Sequence, residues 1–228
     1  MEAELRELLA QAQTDPDALG VVLFGSGATG SAHEESDLDV WYVVRSAPPP
    51  KNRRGRLELV PTTLAQLRAA PDWLKPALAY ARVLWDPTAQ ITPILVAAQS
   101  ISRAETAELY DAYLNDVYRS LKAWRRGLEL PARVECGRSL RFLGELLFAL
   151  EGRRAPYPKE WTGELGELEP LFLDVARTAD PTLQQRLCIE VSRSASEHGY
   201  RDVYEAWNGD IDRMLAIEFA EGHVRKRQ

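Results

Sequence analysis

Hydrophobic and polar residues alternate along this chain in two rhythms, and the change from one to the other divides it. At the start, Leu5, Leu8, Leu9 and Ala12 recur at helical spacing among Glu, Arg and Gln, which predicts an amphipathic helix over residues 1–13. Thr14, Asp15, Pro16 and Asp17 end it. Residues 19–24 then run apolar and β-branched up to Gly25, Ser26 and Gly27, the pattern of a buried strand stopped by a glycine-rich turn. A short helix is expected over 28–32, and His33-Glu34-Glu35-Ser36 forms a polar approach to a second strand over 38–44.

Residues 45–55 hold three consecutive prolines and a basic cluster, which excludes regular structure and predicts an exposed loop joining two antiparallel strands. A third strand over 57–60 sets Leu57 and Leu59 on one face and Glu58 on the other. Pro61-Thr62-Thr63 opens a helix over 64–70 with Thr62 or Thr63 as its cap, and a second short helix over 73–79 leads to a fourth strand over 81–85.

From Ile91 onward the rhythm is helical. Tyr110, Leu114, Val117, Leu121, Trp124 and Leu128 repeat at steps of four and three, the stripe of a helix packed in a bundle. A second stripe runs through Cys136, Leu140, Leu143, Leu147 and Leu150, with Pro131 as the break, and the short connection makes the two helices antiparallel neighbours. Further helices are expected over 163–176, 182–198 and 201–220. The fold class is therefore α+β. A small mixed or antiparallel sheet unit over 1–90 precedes an all-α helical bundle over 91–228, and a cleft between them is the expected meeting place of two substrates.

Composition narrows the function classes. The 228 residues are 45% apolar without a long uncharged segment, which predicts a soluble globular protein with no membrane association. Glu2, Glu4 and Glu7 are the wrong charge for the start of a signal peptide, and two isolated cysteines, Cys136 and Cys188, make neither a disulfide framework nor a zinc site, so a cytoplasmic location is expected. The net charge of -6 argues against general nucleic-acid binding. The basic clusters at Lys51 to Arg56, Lys122 to Arg126 and Arg225 to Arg227 read as solvated loop, helix face and tail; only the first lies near the candidate chemistry, where steering of an anionic acceptor is the alternative role of Arg53 to Arg56.

The candidate chemistry lies between residues 21 and 60. Ten residues beyond Ser26 stand Asp37 and Asp39, two positions apart at the mouth of a strand, so both carboxylates aim one way at a spacing of roughly 7 Å. Their repulsion, on the order of a few kcal/mol at an effective dielectric of about 20, is relieved by a cation between them. Hard divalent ions with oxygen ligands suit that role, and magnesium prefers a couple of carboxylates together with phosphate oxygens. Gly25 and Gly27 let the backbone approach closely, and the Ser26 hydroxyl and nearby amides can donate to phosphate. The plain alternative is a pair of surface acids at a strand start.

Gly25-Ser26, ten residues, then Asp37-Leu38-Asp39 and a later acidic strand residue, Glu58, resemble the signature of the DNA polymerase β-like nucleotidyltransferase superfamily, which includes small prokaryotic nucleotidyltransferases and antibiotic adenylyltransferases. Two residues depart from it: Thr29 stands where many relatives carry Arg, and the third acid is Glu where Asp is common. The resemblance implies metal ligation and catalysis by Asp37, Asp39 and Glu58, and nucleotide binding by Gly25 and Ser26. Lys159, after Pro156-Tyr157-Pro158, corresponds to a helical-part lysine that reaches the triphosphate in some relatives, with an ordinary turn lysine as the alternative.

The implied reaction is magnesium-dependent transfer of a nucleoside monophosphate, AMP from ATP or the counterpart from another nucleoside triphosphate, to a hydroxyl. The first acceptor is an aminoglycoside-like small molecule, whose positive charge suits the acidic balance. A protein or a tRNA end, as in antitoxin-like relatives, is the second, and a catalytically silent nucleotide-binding module is the third reading. Glu58 is the first candidate base, and Glu135, otherwise an N-terminal helix acid, the next. Trp161 and Tyr157 either stack on a base or fill a core, and His33 reads as an exposed loop residue.

Overall fold

The apolar run before Gly25 forms strand β1, Ala18–Phe24, and the run after Asp37 forms β2, Leu38–Val44, paired antiparallel to it. The structure, a computed structural model, describes residues 2–46 and 51–219, with the backbone only for Glu2 and Arg54. The three prolines and the Arg225 to Arg227 cluster lie outside the described residues. The described part of the expected loop corrects the reading of 45–55: Asn52–Arg54 is a strand, β3, antiparallel to β4, Leu57–Thr63, and β4 runs parallel to β2. Gly55, at φ 57°, takes the first central position of the two-residue β3–β4 turn, where only glycine is unstrained.

Strand β4 continues through Pro61, beyond the expected end at Val60. Among the described residues β3 covers only Leu57 to Leu59, so proline lies beyond that pairing, where its missing N–H is harmless. Strand β5, Arg82–Trp85, pairs antiparallel with the other side of β1, and the mixed sheet has the order β3-β4-β2-β1-β5.

Register decides which residues share a face. Val22 is paired with Trp41 and Phe24 with Asp39, while across the parallel pair Asp39 meets Glu58 and Trp41 meets Val60. Paired residues project to the same side, so one face carries Phe24, Asp39, Trp41 and Glu58 and the other Leu23, Leu38, Val40 and Leu57. Helix α1, Glu2–Thr14, covers the second face, where Leu8 and Ala12 pack with Val21, Leu23, Val40, Tyr42 and Leu57. Burying each such leucine or valine contributes about 2 kcal/mol.

A four-residue helix, α2, Ser26–Thr29, follows the glycine turn directly, earlier than the expected 28–32. Helix α3, Leu64–Arg68, starts at a capping box in which Thr63 accepts from the Gln66 amide and Gln66 Oε1 accepts from the Thr63 amide. Helix α4, Lys75–Ala79, follows a single 3-10 turn at Asp72–Leu74. Helix α5, Thr92–Gln99, packs with α4, so the first of the two compact units is Met1–Ser100, ten residues longer than the expected boundary.

The second unit, Ile101–Gln228, is helical. Helix α6, Arg103–Arg125, and helix α7, Glu129–Leu150, form an antiparallel hairpin: the Ser120 hydroxyl donates to Ala132 O at 2.8 Å, and Arg119 meets Glu135 at 2.9 Å. Tyr110, Leu114, Val117, Leu121 and Trp124 are buried as one stripe. Leu128 lies past the end of α6 and is exposed. The break between the helices is Gly127, at φ 69°, and Pro131 sits in the first turn of α7, where an amide lacks an intrahelical acceptor.

Helices α8, Glu169–Thr178, and α9, Pro181–Glu197, complete the core with Phe172, Val175, Leu187 and Val191. The helix expected over 201–220 is split into α10, Arg201–Glu205, and α11, Asp210–Leu215, by the left-handed residues Asn208 and Gly209. Cys136 and Cys188 are buried thiols, each pushed up to about 12 by burial. Among the described residues no helix is long and apolar enough to cross a membrane.

Glu105 ties the start of α6 to the loop after α7. Burial works to raise its pKa, but hydrogen bonds from the Arg154 guanidinium and from Ser102 outweigh it and hold the carboxyl at about 2. A depressed folded-state pKa stabilises above the unfolded value, near 4.5, and that contribution is lost as pH falls toward 2. Urea unfolding at a series of pH values should therefore show the wild type losing more stability across that window than Arg154→Ala, in which the carboxyl has lost its strongest partner.

Candidate active site

The parallel β2–β4 register sets three acids on one face of the sheet, near the starts of these two strands. Asp39 and Glu58 are direct neighbours on adjacent strands, and Asp37 is two residues before Asp39 on the same face, one residue ahead of β2. The backbone holds this arrangement on both sides. The Leu38 amide donates to Arg56 O at 2.8 Å, and Arg56 Nε donates to Ser36 O at 3.1 Å, so the turn after β3 pins the segment that carries Asp37.

Opposite the acids, β1 ends at Gly25, paired by its neighbour Phe24 to Asp39. Gly25 has φ 66°, and a Cβ on it would come within 2.5 Å of Asp39 Oδ2. Both facts require glycine: the first by backbone conformation, the second because the Asp39 carboxylate lies directly against the turn. Ser26 is buried at the start of α2, and Phe24 stacks on Trp41 with ring centroids 3.9 Å apart. Thr29 donates to Ser26 O at 3.3 Å and contacts Ser31, closing the turn on itself.

Two of the acids are neutralised by cations from the neighbouring basic strand. Arg53 Nη2 lies 2.7 Å from Asp37 Oδ1, and Lys51 Nζ lies 2.5 Å from Glu58 Oε1. Arg53 is also the register partner of Glu58 across β3–β4. The donor set, three carboxylates, has the chemistry of a hard divalent cation. Its side chains are turned toward lysine and arginine, however, and among the described residues no three His, Cys, Asp or Glu groups converge closely enough to hold a metal. The backbone placement fits the ion; the side-chain positions are those of carboxylates already balanced by ammonium and guanidinium groups.

The other candidates fall elsewhere. Glu135, on α7 of the second unit, is held by two guanidinium groups, Arg119 on Oε1 at 2.9 Å and Arg138 on Oε2 at 3.4 Å. Beside it the buried Asp116 carboxyl is raised by its burial, against the pull of Arg138. Lys159 is exposed on the 3-10 turn Pro158–Glu160 of the second unit. Trp161 fills that unit's core against Phe148 and Phe172, with its indole N–H donating to Pro156 O at 2.9 Å. His33 is exposed and its Nδ1 accepts from the Glu35 amide at 3.2 Å, which makes it a loop-forming residue.

The basic cluster holding Lys51 and Arg53 is expected near the site, but its pairing with the acids is not, because the segment reads as a proline-interrupted loop. The signal that identifies them is local: Gly55-Arg56 between two short runs has the form of a tight hairpin turn, and a hairpin there brings β3 beside Glu58.

Comparison with known proteins finds similarity in the part of the chain that holds these strands. Residues 4–85 match the family model described as nucleotidyltransferase domain. A nucleotidyltransferase-like protein from Exiguobacterium sibiricum, known from its crystal structure, aligns over 92% of this chain and 76% of its own, at 12% identity and a TM-score of 0.45. No curated protein matches the chain.

Proposed function

We propose that the chain is a nucleotidyltransferase of the polymerase β-like type, the type its domain match over residues 4–85 suggests, and that it transfers AMP from ATP to a hydroxyl of a cationic small molecule, with magnesium as its metal. The observation that carries this reading is the parallel register that sets Glu58 beside Asp39, with Asp37 on the same face and the Gly25-Ser26 turn opposite. The net charge of -6 supports a cationic acceptor.

In the proposed reaction the acceptor oxygen attacks the α-phosphorus in line. A new P–O bond forms, the bond from that phosphorus to the bridging oxygen breaks, and pyrophosphate leaves with its electrons. Bound divalent ions supply charge neutralisation for the attacking and leaving oxygens. Asp37 and Asp39 would hold them, the Ser26 hydroxyl and the amides of the glycine turn would orient phosphate oxygens, and Glu58 would take the hydroxyl proton. Glu135 is the less suited base, because both of its oxygens already accept from arginines.

The test is incubation with α-labelled ATP and magnesium in the presence of aminoglycoside-like amines, of protein and of tRNA. Label on the cationic small molecules supports the reading. Label on protein or RNA alone moves the acceptor to a macromolecule, and no metal-dependent ATP binding by calorimetry rejects the enzyme reading altogether.

A further inference from the structure

The basic strand beside the acids does more than flank them. Two of the three carboxylates of the proposed site are engaged by residues two apart on one short segment: Lys51 on Glu58 and Arg53 on Asp37. Both cation side chains are 60% exposed, while Glu58 and Asp37 are 24% and 34% exposed, so the cations reach inward from solvent onto more sheltered acids. Any divalent ion that binds these carboxylates must compete with the ammonium and guanidinium groups for the same oxygens. A released lysine and arginine then stand, still tethered to β3, beside a site that has gained a triphosphate.

Resting on the proposed function above, we propose that Lys51 and Arg53 are exchangeable counter-ions that yield Glu58 and Asp37 to the metal and then bind the phosphates of the incoming nucleotide. Arg53 offers a planar pair of donors suited to phosphate oxygens and Lys51 a mobile point charge, so the two supply the kinds of contact a phosphate tail accepts. The exchange makes metal and nucleotide binding mutually supportive: each ion bound at the acids frees a cation for the phosphates, and each phosphate contact removes a competitor of the ion. Exposed ion pairs are weak enough for such exchange to proceed without a large barrier.

The experiment compares wild type with Lys51→Ala plus Arg53→Ala in two titrations: manganese alone, followed by its electron-spin resonance signal, and ATP at saturating magnesium, followed by calorimetry. A charge-matched control, Arg45→Ala plus Arg68→Ala, removes one cation just after β2 and one in the last turn of α3, and Lys51→Arg plus Arg53→Lys keeps both charges at the site. The expected result is manganese binding tightened by about tenfold together with ATP binding weakened by about tenfold in the alanine pair alone.

Manganese affinity equal to that of wild type or of the charge-matched control overturns the counter-ion role. Tighter manganese with unchanged ATP affinity overturns the transfer of Lys51 and Arg53 to phosphate. Wild-type manganese uptake that is lost in Asp37→Ala plus Asp39→Ala keeps the metal site standing in either case; no uptake by any variant rejects the metal site and this inference together.

Discussion

Asp37→Ala combined with Asp39→Ala is expected to remove nucleotidyl transfer while leaving the fold in place. The two carboxylates lie on one face at the start of the central strand β2, and Asp39 touches the glycine turn. In a phosphoryl-transfer site most of the catalysis is charge neutralisation and positioning, and loss of one such group costs on the order of 10³-fold or more in kcat. Stability should change little, because the loss of the Arg53–Asp37 pair is offset by the end of the repulsion between the acids. Release of labelled pyrophosphate measures the first effect and a thermal melt the second. Transfer within tenfold of wild type would place the chemistry at other residues. The conservative pair Asp37→Asn and Asp39→Asn should lose transfer to the same degree, since amides keep the volume but cannot hold the ion.

The largest expected effect on stability lies in the helical unit. Gly144, in the middle of α7, is a position where a Cβ would come within 2.5 Å of Trp161 Cε3 and nearer still to the adjoining ring atoms. The indole cannot swing away cheaply: its N–H is bonded to Pro156 O and its ring lies against Phe148 and Phe172. Overpacking of this kind costs about 1 to 3 kcal/mol, or more where the neighbour is locked, against a gain of about 1 kcal/mol for alanine over glycine in a helix. Gly144→Ala should therefore destabilise the helical unit by about 2 kcal/mol, whereas Gly137→Ala, on the same helix with nothing near its Cβ, should stabilise it. Urea unfolding followed by tryptophan fluorescence separates the two, and equal midpoints for both variants would mean that Trp161 has room to move.

Periodicity made most of the elements legible. The Tyr110 to Trp124 stripe is buried as its spacing demands, and the Thr63 cap opens α3. The alternation at Leu57, Glu58 and Leu59 identified the face of the third acid, but which strand that face adjoins depends on direction, and direction was misread. A strand following a proline-rich segment reads as antiparallel to its predecessor, whereas β3 intervenes and turns β4 parallel to β2. Sequence pattern records which side chains are buried far better than it records which strand lies next to which. The counter-ion roles of Lys51 and Arg53 were hidden for the same reason, since only the finished hairpin brings them onto the acids.

The form of that hairpin bears also on how molecules of this protein avoid one another. An open sheet invites a strand from a neighbouring molecule to add itself along the free margin, the first step of fibril growth. Among the described residues the margin is a strand of three, flanked by Lys51 and carrying Arg53, and past it β4 offers Pro61. A visiting strand would find little backbone to zip onto and would have to bury positive charge in doing so, which keeps this side of the domain from templating aggregates.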